Sequence, residues 1–488
     1  MTLVETSLGT LRGRERGGVH QFLGIPYAAP PIGDRRFRAP APPSPWDGVL
    51  DATRLGRVAP QPQAAPDGPL PSRVVDWAED CLFLNVYTPA PDDDRRPVLV
   101  WIHGGAYVRG SGDNTDGTSF AREGDLVVVT LNYRLGAFGF MELGHLDPEL
   151  AGSGNNGIRD QIAALRWVHE HIARFGGDPE RVTVCGESAG AGSVMALLAA
   201  PAADGLFHQA ISQSAPAGLG RDEGATAAAI LDQLGGGLAG LRAADAAEIL
   251  AAQEAVAAAD AAALGTSLLG SSGRGLRPVI DDLTVTRGPA EAVRADGSRP
   301  LLLGTNADEG TLFSFYLPRG HRGRTTSRGR GPCRRSRPGD RRVRAAHPDD
   351  SIRRSMVRML GDTMFRTSSL QVAGAQVDAG GTVFVYRFTW AAPGFGGRLG
   401  SMHALEIPFV WKQDMAAWSA LVGDDGWPPD LADEMHQAWI AFTRTGDPSH
   451  AGIGGWPRYD TTRRPTMEFG STTGVVDDPD GLTRAAWT

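Results

Sequence analysis

Three nearly uninterrupted apolar runs constrain this chain more than any other feature. They are Val98-Leu99-Val100-Trp101-Ile102, Leu126-Val127-Val128-Val129-Thr130-Leu131 and Val182-Thr183-Val184-Cys185. A strand that is apolar at almost every position has no solvent face. It belongs in a largely parallel sheet covered on both sides by helices. Between the second and third runs, Ile158, Ile162, Leu165, Val168 and Ile172 recur at helical spacing, and Gly176-Gly177 stops that helix. Residues 191–200 favour helix again, and further runs at 300–303 and 383–388 read as strands. Strand and helix therefore alternate, which predicts an α/β fold. Upstream, residues 1–60 read as short extended pieces with many turns, and 82–87 as a partly alternating strand. At 488 residues and 41% hydrophobic, the chain has ample material for a large core.

Two segments stand apart. Residues 222–264 are mostly Ala, Leu and acids, and predict two or three short helices capping the sheet. Residues 319–344 hold eleven Arg, one Asp and no Leu, Ile or Phe, a net +10 in a chain of −8, so the remainder carries −18. Self-repulsion and the lack of apolar side chains predict an unfolded, low-complexity insertion, or a stretch translated out of frame. A basic arm for an anionic partner is the competing reading. It is the weaker one, because the run is isolated in an acidic protein, and nucleic acid is not expected as a partner. Lys412 is the single lysine, a sign of coding bias rather than of function. Cys81, Cys185 and Cys333 cannot build a disulfide framework, so a reducing compartment, the cytoplasm, is expected. No signal-peptide pattern opens the chain, and no apolar run approaches the ~20 residues of a membrane span.

The chemistry concentrates at Gly186-Glu187-Ser188-Ala189-Gly190, directly after the third run and before a predicted helix. The bare Gly-x-Ser-x-Gly pattern is weak in a chain with 64 Gly; its strand-to-helix setting carries the weight. There the Ser sits on a tight turn that only small neighbours allow, exposed above the sheet, with helix N–H groups beside it. His103-Gly104-Gly105-Ala106-Tyr107 follows the first run. Its small residues let the backbone approach an anion, so the N–H groups of Gly105, Ala106 and Ala189 are the candidate oxyanion donors. His103 is expected to be structural, since that loop must present its backbone. An acid and a base should lie on loops past later strands. Position leaves Asp308 and Glu309 unresolved as the acid, and sets His403 against His436 as the base. His169 and His171 face different ways on a helix, so no metal site is expected there.

With these residues in view, the sequence resembles the type-B carboxylesterase family. The resemblance rests on Glu79-Asp80-Cys81-Leu82-Phe83-Leu84-Asn85-Val86-Tyr87, the His103 loop, the block from Phe175 to Gly190, Asp308-Glu309-Gly310 and His403-Ala404-Leu405-Glu406. Asn132-Tyr133-Arg134-Leu135-Gly136 and Gly154-Asn155-Asn156-Gly157 add to it. It implies one α/β-hydrolase domain over residues 1–488, with a large, mostly parallel sheet, flanking helices and helical cap insertions. It implies Ser188 as nucleophile, Glu309 rather than Asp308 as acid, His403 as base, no cofactor and no metal. Glu187 is implied to join a buried polar network. The implied activity is hydrolysis of small to medium carboxylic esters through an acyl-enzyme. The alternatives are an amide or carbamate hydrolase using the same three residues, a non-catalytic binding protein of the neuroligin kind, against which the intact Ser188, Glu309 and His403 argue, or an enzyme disabled by the Arg-rich span. The chain departs from the family twice. Secreted relatives bridge the cysteine at Cys81, but residues 1–80 contain no partner, and the Arg-rich span replaces ordinary helical sequence just after Glu309.

Overall fold

A computed structural model describes residues 1–63, 75–221, 224–264, 276–315, 342–345, 347–412, 418–422 and 426–487. One sheet of 13 strands runs through it. β1 (Thr2–Thr6), β2 (Gly9–Arg16) and β3 (Val19–Pro26) form an antiparallel meander, with β4 (Val49–Asp51) alongside β2. β5 (Phe83–Thr88) joins the meander, antiparallel on both sides, to the parallel centre. That centre comprises β6 (Arg96–Ile102), β7 (Val127–Leu131), β8 (Gly177–Glu187), β9 (Gln209–Gln213), β10 (Leu301–Asn306), β11 (Val383–Phe388) and β12 (Pro465–Phe469). The order is β7-β6-β8-β9-β10-β11-β12, and β13 (Gly474–Asp477) closes the edge antiparallel. The expected α/β sheet is therefore present.

Two apolar layers cover the sheet, one on each face, as runs without a polar side require. Val98, Val100, Ile102, Val182 and Val184 pack into one layer, and Leu99, Trp101, Val128 and Cys185 into the other. In the first, the helix Asn156–His171 buries Ile158, Ile162, Leu165 and Val168. It passes through a 3-10 turn, Ile172–Phe175, and stops at Gly176 with φ 80°. In the same helix His169 is exposed and His171 buried. Trp411 in the second layer packs edge-on to both Trp101 and Phe120.

Within 222–264, helices occupy Ala225–Leu234, Gly237–Ala243 and Ala246–Leu264, the last longer than expected. Gln253 Oε1 accepts the Ala137 N–H at 2.8 Å, tying the longest of them to the turn after β7. Of the Arg-rich span, residues 319–341 lie outside the described residues, as does Cys333, while 342–345 form a helical turn that buries Val343. Cys81 and Cys185 are buried free thiols. Among the described residues, no helix is long and apolar enough to cross a membrane.

The turn after β7 is locked by charge. Arg134 Nε and Nη2 donate to the two carboxylate oxygens of Asp160 at 2.8 and 2.7 Å, and the Arg134 N–H adds a third bond at 3.0 Å. Both side chains are almost wholly buried. Removing one partner strands a charge out of water. Asp160→Ala should therefore cost about 3–5 kcal/mol of unfolding free energy, read from the urea midpoint. A loss below about 1 kcal/mol would count against this locking role.

Candidate active site

Parallel strands end at one edge of a sheet, so the loops after β6, β8, β10 and β11 converge. Ser188 lies between β8 and the helix Ala189–Leu198, at φ 54° and ψ −121°. An L-residue avoids this region, at a cost of about 1–3 kcal/mol. The glycines around it explain how the turn closes. A β-carbon on Gly190 would sit 2.0 Å from Ile102 O, and one on Gly186 would sit 2.4 Å from the Gly190 carbonyl carbon. The Ser188 N–H donates to Gln213 O of β9 at 2.9 Å, pinning the turn to the sheet.

His403 arrives on the loop after β11 and Glu309 on the loop after β10. His403 Nε2 is 2.8 Å from Ser188 Oγ, and Nδ1 is 2.6 Å from Glu309 Oε2. Glu309 Oε1 accepts the Ser214 hydroxyl at 2.5 Å and the Asn306 N–H at 2.7 Å. Serine, imidazole and carboxylate thus form one hydrogen-bonded line. In it the imidazole can take a proton from the hydroxyl while its other N–H stays bonded to the carboxylate.

The rivals are elsewhere. His436 is buried on the helix Pro429–Thr445, with Nδ1 2.7 Å from Val410 O and Glu123 3.7 Å away. The Asp308 carboxylate accepts the Ser401 N–H at 3.1 Å. His103 donates from Nδ1 to Gly104 O at 2.8 Å and stacks on Tyr133 at 4.4 Å. Burial holds its imidazole down at about 4, which keeps it neutral.

The Gly105 loop lies directly against the elbow. A β-carbon on Gly104 would come within 3.2 Å of Ser188 Cβ, and one on Gly105 would strike Arg109 O at 2.2 Å. Gly105, Ala106 and Tyr107 all have positive φ, at 111°, 56° and 61°. Ala189 opens its helix, and a first-turn N–H has no intrahelical acceptor. The three amides expected to serve as oxyanion donors are thus carried by segments packed together at Ser188.

Several residues of this constellation escaped the sequence reading. Ser214 and Asn306 bond the acid, and Phe365 stacks on the His403 ring at 4.4 Å. Arg366 Nη2 donates to Asn306 O at 3.0 Å and Ala307 O at 3.1 Å. Asn306 Nδ2 reaches Glu406 Oε2 at 2.6 Å, and Gln213 Nε2 reaches Glu406 Oε1 at 3.1 Å. The available signal was position: Ser214 and Asn306 stand at the carboxyl ends of β9 and β10. Arg366 and Phe365 had none. Among the described residues, no group of three His, Cys, Asp or Glu side chains could hold a metal ion.

The topology and the serine elbow are those of an α/β-hydrolase. A carboxylesterase-family profile matches residues 1–330 and 341–483, passing over ten residues inside the Arg-rich span. The chain is 37% identical to para-nitrobenzyl esterase of Bacillus subtilis (strain 168), over 99% of this chain and 97% of that one. It is 36% identical to phenmedipham hydrolase of Pseudarthrobacter oxydans, over 94% and 92%. Carboxylesterase EST55 of Geobacillus stearothermophilus superposes with a TM-score of 0.83 at 39% identity, covering both chains fully. This chain belongs to the carboxylesterase family and is a carboxylic ester hydrolase.

Charge at the site is lopsided. Glu187 Oε1 approaches His403 Nε2 at 3.2 Å, and burial pushes the Glu187 carboxyl well above its ordinary range. Burial alone would lower the His403 imidazole, but Glu187 and then Glu309 outweigh it and raise it to about 9. The cation is the favoured form, so His403 should titrate well on the alkaline side of free imidazole by ring-nitrogen NMR. Glu187→Gln removes the charge that Glu187 places beside the ring when ionised and should move that midpoint to lower pH. An unmoved midpoint would mean that Glu187 carries no charge beside the ring.

Proposed function

We propose that the ester hydrolysis runs through Ser188, His403 and Glu309 by way of an acyl-enzyme. The observation that carries this reading is the unbroken line of contacts from the Ser188 hydroxyl through the His403 imidazole to the Glu309 carboxylate. His403 takes the hydroxyl proton as Ser188 Oγ bonds to the substrate carbonyl carbon. Glu309 holds the ring with Nδ1–H toward itself and stabilises the imidazolium. The N–H groups of Gly105, Ala106 and Ala189 receive the negative charge on the carbonyl oxygen, where one donor is typically worth ~2.7–4 kcal/mol of barrier. His403 then protonates the departing alcohol, and water, deprotonated by the same ring, releases the acid.

The continuous sheet supports a single domain over residues 1–488. The two buried free thiols fit the cytoplasm. Substrates are small to medium esters, and the same residues could serve carbamates and amides.

Ser188→Ala should cut turnover of p-nitrophenyl acetate and butyrate by at least about a thousandfold without changing the melting temperature. It should also abolish labelling by a fluorophosphonate. Matched ester, carbamate and amide panels on wild type and variant assign the bond cleaved. Undiminished turnover in the variant would remove Ser188 from the mechanism. For the wild type, kcat/KM should climb with pH below the His403 titration and level above it, because only the neutral ring accepts the proton. A flat profile through that range would count against a histidine base.

A further inference from the structure

We infer that Asp308 is a positioning residue that fastens the loop carrying Glu309 to the loop carrying His403. The inference rests on the three-residue mechanism just proposed. Acid and base come from different strands, β10 and β11, and each stands several residues past its strand end. Sheet register therefore does not by itself fix Glu309 against His403.

The Asn306 amide ties the end of β10 to the base loop through Met402 O at 2.7 Å and Glu406 Oε2 at 2.6 Å, and Asp308 adds a tie on the other side of the acid. Its N–H donates to Ser401 O at 3.0 Å, and its carboxylate Oδ2 accepts the Ser401 N–H at 3.1 Å. Main chain and side chain of one residue thus close a two-bond ring on Ser401. That ring joins the position before the acid to the position two before the base. Gly400 makes the approach possible: with φ 57°, it leaves free the space where a β-carbon would lie 2.3 Å from Asp308 Oδ2. Thr311 adds a second tie. Its hydroxyl lies 2.6 Å from Leu399 O and 2.7 Å from Asp308 O, and its single proton serves one of them at a time. On its far side the base loop is anchored by Ser401 Oγ, which donates to Trp390 O at 2.8 Å. The Asp308 carboxylate therefore acts as an acceptor of fixed position and touches neither Ser188 nor the His403 ring.

A misplacement of ~1 Å between catalytic groups costs on the order of a hundredfold in rate. Asp308→Ala should accordingly lower kcat for p-nitrophenyl butyrate by roughly 10- to 100-fold, with KM within about twofold. Asp308→Asn keeps an acceptor oxygen but not the charge, and should restore kcat to within about threefold of wild type. Wild-type kcat in Asp308→Ala overturns the inference. So does an Asp308→Asn loss as deep as that of alanine, because charge rather than placement would then be at work. If Asp308→Ala does not fold, Thr311→Val decides: reduced kcat at unchanged KM supports the tie, and wild-type kcat overturns it. Ser188→Ala, assayed alongside, separates the two levels. If it is inactive while Asp308→Ala is fully active, only the tie is lost; if it stays active, the mechanism beneath it is lost as well.

Discussion

The 2.6 Å contact between His403 Nδ1 and Glu309 Oε2 is made out of reach of water, and its burial dictates much of what surrounds it. A carboxylate taken out of water must find its remaining hydrogen bonds in the protein, or the cost runs to several kcal/mol. Ser214 and the Asn306 main chain supply them. Those two groups sit at the ends of neighbouring strands, so the acid is held by the sheet itself. The requirement then propagates. Asn306 turns its amide to Glu406, Glu406 accepts from Gln213, and Gln213 accepts from Trp439 at 3.1 Å. Arg366, buried behind the loop, caps the Asn306 and Ala307 carbonyls. None of these residues lies in the Arg-rich span, so among the described residues the acid draws its support from outside it.

Backbone strain is concentrated at the same place. Ser188, Ala106 and Tyr107 occupy conformations that non-glycine residues avoid, and they do so on two segments in van der Waals contact. Such conformations persist only when the surroundings leave no alternative. Around Ser188 the constraint is the pair of bonds from its N–H to Gln213 O and from the Gly192 N–H to its carbonyl. Around the loop His103–Tyr107 it is the Gly136 N–H on Tyr107 O at 2.7 Å and the Tyr133 hydroxyl on His103 O at 2.9 Å. The locked turn after β7 is thus bonded directly to the loop that carries Gly105 and Ala106.

The sequence was most legible where burial is two-sided. β6, β7 and β11 fall on the apolar runs because such runs fit few other environments. β10 was read short: Gly304, Thr305 and Asn306 look like loop, but they stay in the strand and pair with Tyr386, Arg387 and Phe388. β9 escaped because only Ala210 and Ile211 are apolar among its residues, too few for a periodic signal. The Gly-x-Ser-x-Gly elbow was legible because its glycines answer a local steric demand. Asp308 and Glu309 were not separable by position, since neighbours on a loop differ only in where the chain turns; one carboxylate meets Ser401 and the other His403. Ser214 was marked only by its place at the end of β9, and the bonds of Arg366 to the Asn306 and Ala307 carbonyls left no trace, because those partners lie about 60 residues away.

The electrostatics of the site pull in two directions. On the proposed mechanism, neighbouring carboxylates would stabilise the imidazolium formed when Ser188 gives up its proton. The same carboxylates favour the protonated ring, the form the proposed base could not use. Burial relieves part of this conflict. It raises the Glu187 and Glu406 carboxyls, and a neutral carboxyl exerts no Coulomb pull on the imidazole. Glu187, 3.2 Å from Nε2, is therefore the natural counterweight. A proton on it lowers the field on the ring and frees the base, whereas a charge on it deepens the well in which the imidazolium sits.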